Sequence, residues 1–212
     1  MLNEVLTVTA VDPHLADARV VGGDLVEQRG AGNGVLRAPY MPQKDGSENS
    51  MSLIIRLFRL QPKELEAMNA ESVLAEVPLK SDEERFTAAQ DAGLLLDLSK
   101  EWEVVHAAFT GGSPETHEAG YQPVLGGAFL GRTETEVLVA LRPDDVRRVS
   151  DHLATVDPGR RVNDSLDAMA SAFGDEIGEK FARYLATVLR DVASFYAEAA
   201  SNGDAVVKIA YS

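Results

Sequence analysis

Asp97, Lys100, Trp102 and His106 lie close together in the chain and could do chemistry as a group. A histidine exchanges a proton near neutral pH, so His106 is the candidate general base, with Asp97 or Glu103 to orient its ring. Asp97 and Lys100 are spaced to form an ion pair at the start of a helix, worth little if exposed. Trp102, the only tryptophan, brings a large apolar body and a single N–H donor. A structural reading stands beside this one. In it, His106 closes the core next to Trp102 and one ring nitrogen bonds to backbone, and this is the plainer of the two. The four residues are therefore a candidate ligand or partner site, and no residue is assigned as catalytic.

Other familiar chemistry is missing from the chain. There is no cysteine, which removes disulfides, thiolate catalysis and cysteine-based zinc sites. The histidines, His14, His106, His117 and His152, are not spaced as pairs on one helix face, so no helical metal site is expected. The stretch Gly126 to Thr133 comes near a phosphate-binding loop. It has Arg132 where a lysine is required, and a strand-like run follows where a helix N-terminus must hold the phosphate. Gly30 to Gly34 fails the dinucleotide fingerprint because Val35 stands in place of the third glycine. Neither a Gly-x-Ser-x-Gly elbow nor a His-Glu-x-x-His pair occurs. No cofactor is expected.

The candidate residues need elements to hold them. Leu98, Trp102, Val105 and Phe109 recur at helical spacing, with Asp97 or Ser99 as N-cap and Thr110-Gly111-Gly112 as the stop. Before them, Leu53 to Leu60 reads as a strand whose Arg56 and Arg59 leave one edge or face wet. Pro62 starts a helix to about Ala75, and Ser81 caps another to Ala92, with Glu84 in capping-box position. Val124–Leu130 and Glu136–Leu141 read as a hairpin, Pro143–Leu153 as a helix, and Pro158–Asn163 as a turn. A long helix spans about Asp175 to Ser201, with the near-heptad stripe Ile177, Phe181, Tyr184, Val188, Val192, Phe195 and Ala199. Ala205 to Tyr211 makes a last strand. The expected fold class is α+β, a small and mostly antiparallel sheet packed with several helices.

The chain divides at Met51. Residues 1–50 are rich in glycine and polar residues, and only Glu4 to Val11 alternates like a strand. Two readings of this segment stand open. It is an extension or linker of the protein, or translation begins at Met51.

The run Leu-Asp-Leu-Ser-Lys-Glu-Trp-Glu-Val-Val-His, followed by Phe109-Thr110-Gly111, resembles the YfbM-like family, the domain of unknown function 1877. Members read Leu-Asp-x-x-Lys-x-Trp-x-x-Leu-His and then Thr-Gly. Asp97, Lys100, Trp102, His106, Thr110 and Gly111 match, and Val105 departs from the usual leucine. The resemblance covers roughly residues 51 to 212. It implies a small soluble α+β domain and no particular activity.

Composition narrows the partners. At 45% hydrophobic and 25% charged the chain is ordinary globular material, long enough to hold a core without metal or disulfide. It lacks a secretory leader pattern and any apolar run of about 18 residues, so a cytoplasmic protein is expected. The net charge of −14 disfavours nucleic acid and anionic membranes and favours a basic protein. The leading expectation is a non-enzymatic binding protein with an acidic surface, antidote-like in one version. The alternative is an enzyme or small-molecule binder with a pocket near Trp102 and His106. Self-association through the C-terminal helix is a third expectation.

Overall fold

The apolar pattern is strictest in the last strand, Ala205–Tyr211 (β9), where every residue but the last is buried. In the computed structural model β9 is the middle of a five-stranded sheet. Ile54–Leu60 (β5) and Glu136–Leu141 (β8) flank it. Leu95–Ser99 (β6) and Ala128–Arg132 (β7) form the edges, giving the order β6-β5-β9-β8-β7. Every neighbouring pair is antiparallel. Helices cover both faces, so the inner strands carry near-continuous apolar runs.

The structure describes residues 7–9, 17–21, 24–28, 35–36, 53–78, 80–111, 120, 122–173 and 178–211. Within the first fifty, Thr7–Thr9 (β1), Asp17–Val21 (β2), Asp24–Gln28 (β3) and Val35–Leu36 (β4) pair antiparallel in the order β3-β2-β1-β4. The first of these falls inside the strand expected from Glu4 to Val11.

One sheet face carries three short helices, Pro62–Ala67 (α1), Ala70–Glu76 (α2) and Glu83–Asp91 (α3). Val73, Val77, Phe86 and Ala89 pack there on Phe58, Leu95, Val207 and Ile209. The other face carries Trp102–Thr110 (α4), Pro143–Ala154 (α5), Pro158–Phe173 (α6) and Glu179–Asn202 (α7). Its core joins Ile55, Leu57, Val139 and Val206 of the sheet to Trp102, Phe109, Val146, Leu185, Leu189 and Tyr196 of the helices. The alternation of a strand assigns neighbouring residues to opposite layers.

The α+β class, the antiparallel sheet and the long final helix followed by a strand agree with the sequence reading, but several boundaries do not. The helix expected from Pro62 to Ala75 is two helices, because Asn69 is extended and its side chain accepts from the Ser72 amide at 2.8 Å. Asp82, not Ser81, caps α3, accepting from the Arg85 amide. Leu95 to Ser99 is strand, and α4 begins only at Trp102, since a short apolar run fits either period. Ser99, at φ 48°, turns the chain between the two. Gly111, at φ 64°, ends α4 as expected.

Pro158 to Asn163 is not a turn but the start of α6, with Pro158 in the first helical turn and Asp157 accepting from the Arg160 amide at 2.7 Å. In α7 the buried stripe is Leu185, Leu189, Val192, Phe195, Tyr196 and Ala199, while Phe181 and Tyr184 are exposed. The β5 strand is not wet either, because Arg56 and Arg59 are both buried. Gly126 to Thr133 enters β7, which bulges near Phe129 and returns through Thr133–Thr135 into β8, as expected of a strand and turn. Among the described residues, no helix is long and apolar enough to cross a membrane.

Candidate functional site

The sheet separates the residues that the sequence brought together. Asp97 shares the α1–α3 face with Leu95. There it pairs with Arg56, 3.7 Å away, and with Lys80, 3.2 Å away. The Arg56 guanidinium in turn lies against the rings of Phe86 and Tyr211, at 5.1 and 4.8 Å from their centroids. Lys100 is exposed, and Asp97 takes its cations from β5 and the α2–α3 connection instead. Asp97 does not cap α4; it accepts from the Ser99 amide at 2.9 Å and so fixes the turn before that helix.

Trp102 sits on the opposite face, inside the main core, and His106 is buried one turn further along α4. The Trp102 Nε1–H donates to the Leu53 carbonyl at 2.9 Å, so the ring ties the start of α4 to the start of β5. His106 is buried beside Lys208, and burial together with the Lys208 charge lowers its pKa to about 4. At neutral pH it is a neutral imidazole, buried on α4. His14 and His117 lie outside the described residues. His152 on α5 is half-buried, and its pKa is lowered by burial and by Arg161.

Lys208 was not singled out from the sequence, although it is the only charge in an otherwise apolar strand. Fully buried, it projects from the middle of β9 toward the α4–α7 side, and its ammonium donates to the carbonyls of Gln122 and Gly126. The Tyr196 hydroxyl donates to the Pro123 carbonyl at 2.8 Å, from a fully buried position that pushes its pKa well up. Burial lowers the Lys208 pKa well below the usual lysine range, with Asp145 acting in the opposite direction. Lysine and tyrosine together pin the turn at 122–126 against the sheet. They answer its inward-facing carbonyls, which would otherwise be costly to bury.

A second unanticipated cluster lies at the far end of β5. Arg59 donates through Nε and Nη2 to Asp204, at 2.9 and 2.8 Å. Its Nη1 reaches the Gly93 carbonyl and Glu198, each at 3.1 Å. Gln61 donates to the other Asp204 oxygen at 2.7 Å. Gly203, at φ 70°, ends α7 and turns Asp204 into this position, with the Asp204 amide donating to the Ala199 carbonyl. The network borders an open cleft of about 340 Å³ on the α1–α3 side, walled by Phe58, Met68 and Leu94 and edged by Glu64 and Glu76.

The α1–α3 layer is strongly acidic. Glu64, Glu66, Glu71, Glu76, Asp82, Glu83, Glu84 and Asp91 are all exposed, against Lys63, Lys80 and Arg85. Lys80 is already paired with Asp97, and Arg85 with Asp82. On α5–α7, by contrast, Arg147, Arg148, Arg160 and Arg183 each pair with an acid one turn away. Among the described residues, no group of three or more potential ligands could hold a metal ion.

No curated protein matches the chain. The crystal structure of YfbM from Escherichia coli, described as a protein of unknown function, is similar at 16% sequence identity. It covers 74% of this chain and 99% of that one, with a TM-score of 0.49. The family model described as "Domain of unknown function (DUF1877)" matches residues 51–209, most of the chain, running from before β5 into β9 of the central sheet. The chain therefore belongs to the DUF1877 family.

Proposed function

We propose that this protein is a non-catalytic binding protein that receives a basic protein on its α1–α3 layer, neutralising it in the manner of an antidote. The observation that carries the reading is the charge of that layer: eight exposed carboxylates between residues 62 and 91, facing three cations of which two are already paired. Such a surface steers cationic partners and repels nucleic acid and anionic membranes. On the opposite layer four arginines each pair with an acid one turn away, so it lacks the same concentrated field. The burial of Trp102 and His106 favours binding at the surface over chemistry at those residues.

The test is affinity capture from host lysate with the full chain as bait, at low and at moderate salt. A parallel bait carries Glu66→Gln, Glu71→Gln, Glu83→Gln and Glu84→Gln. A basic protein is expected at low salt, weakened at moderate salt by screening and lost from the substituted bait. Capture that ignores both salt and the substitutions, or no basic protein at low salt, would refute the reading.

A further inference from the structure

We infer that the cleft between β5, α1 and α2 is a socket for one basic side chain, lysine or arginine, of the partner protein. This rests on the proposed binding function and names the point of recognition. The walls are apolar where an aliphatic stem would lie: Phe58, Met68 and Leu94, the last of which is left 39% exposed. The rim is acidic where the cationic head would emerge, with exposed Glu64 on one helix and exposed Glu76 on the next. Long basic side chains bury their stems on apolar surface and keep the charge at a polar edge, so this lining suits them.

An anion is poorly served by the same cleft. Arg59 is its one cation, and both of its terminal nitrogens and Nε are already donating, to Asp204, Glu198 and the Gly93 carbonyl. Asp204 and Glu198 already outweigh its single charge, and the carboxylates of Glu64 and Glu76 add to that negative excess. A purely apolar ligand would leave the Glu64 and Glu76 carboxylates at the rim without a counter-charge. The volume of about 340 Å³ suits one side chain and is small for a folded element.

The experiment is an amide-shift titration of the full chain with acetyl-arginine amide, acetyl-lysine amide and acetyl-citrulline amide. Citrulline keeps the shape of arginine and lacks its charge. The two cations should give saturable shifts centred on Leu60, Gln61, Met68 and Leu94, and should bind about tenfold more tightly than citrulline, the effect expected of two partly exposed ion pairs. The variant carrying Glu64→Gln and Glu76→Gln should lose that preference. Glutamine at position 64 still serves the capping box, so α1 should survive. Equal binding of citrulline, shifts spread over the acidic layer without saturation, or a preference that outlives the double substitution would overturn the socket. Salt-sensitive capture of a basic protein without cleft shifts would remove the socket and leave the binding reading intact. Cleft shifts without any captured basic protein would do the reverse.

Discussion

Acidification should unfold this protein partly through His106, and by an amount that can be worked out. Its pKa is lowered from 6.5 to about 4, by burial first and by Lys208 second. Above pH 6.5 the imidazole is neutral in both folded and unfolded chains, so His106 adds no pH dependence. Between pH 6.5 and about 4 the unfolded chain takes up a proton that the folded chain refuses, so stability falls as pH falls. At about 1.4 kcal/mol per pH unit, that window removes roughly 3 kcal/mol, and below it the contribution levels off. Glu103, whose pKa is raised by burial, acts in the opposite sense: the folded protein holds its proton more tightly, so acidification through that pKa adds stability. Comparison with His106→Gln isolates the histidine from such background. Urea unfolding of both proteins should be followed from pH 7.5 down to about 4. The stability difference, parent minus variant, should be flat above pH 6.5 and shrink by about 3 kcal/mol by pH 4. Parallel curves for the two proteins would refute the buried neutral histidine, as would a His106 ring resonance titrating near 6.5.

Three further outcomes follow from single contacts. In Lys208→Met, the His106 resonance should titrate above its value in the parent yet still below 6.5, because burial is the larger cause of the depression and remains; an unchanged titration would show that the Lys208 charge is not felt there. Asp204→Ala removes the buried partner of Arg59 and should cost about 3–5 kcal/mol in urea unfolding, whereas a loss below about 1 kcal/mol would show the pair to be unimportant. Gly203→Ala should cost about 1 kcal/mol through backbone conformation alone, since φ is 70° and nothing lies within 4 Å of an added Cβ; no measurable loss would mean that the end of α7 relaxes to another cap.

The parts of the fold that could be read from sequence were those with long, consistent periods. β5, β8, β9, α5 and the body of α7 all fall where their apolar spacing puts them. The misreadings are local competitions. Asn69 offers its own side chain to the backbone and splits one helix into two. Pro158 looks like a turn former, yet behind the cap at Asp157 it opens a helix. Leu98 fits a helical stripe with Trp102, yet alternation along β6 also buries it. The candidate site suffered most from this last ambiguity. Once residues 95–99 are strand, Asp97 points through the sheet away from Trp102 and His106. The charges that matter most to the fold, Arg56, Arg59 and Lys208, were visible as interruptions of apolar strands. What hid their role is that their partners, Asp97, Asp204 and the 122–126 carbonyls, are brought to them only by tertiary contact.

The two layers of the protein should respond to salt in different ways, and the reason bears on function. In α1–α3 the hold on the sheet is slight: α1 buries no residue, α2 only Val73, and α3 Phe86 and Ala89. α7 buries Leu185, Leu189, Val192, Phe195, Tyr196 and Ala199. The lightly held layer also carries the unbalanced carboxylates, whose mutual repulsion works against its docking. Raising salt from low to physiological strength shortens the Debye length to about 8 Å and should relieve that repulsion. Amide exchange in α1–α3 should therefore slow as salt rises, while exchange in α7 stays nearly constant. A cationic partner would relieve the same repulsion by binding, so its affinity should fall over the range in which salt stabilises the free layer. Exchange that quickens in α1–α3 with salt, or slows equally in α7, would mean that the carboxylates are not in tension, and the electrostatic case for a basic partner on this layer would fail with them.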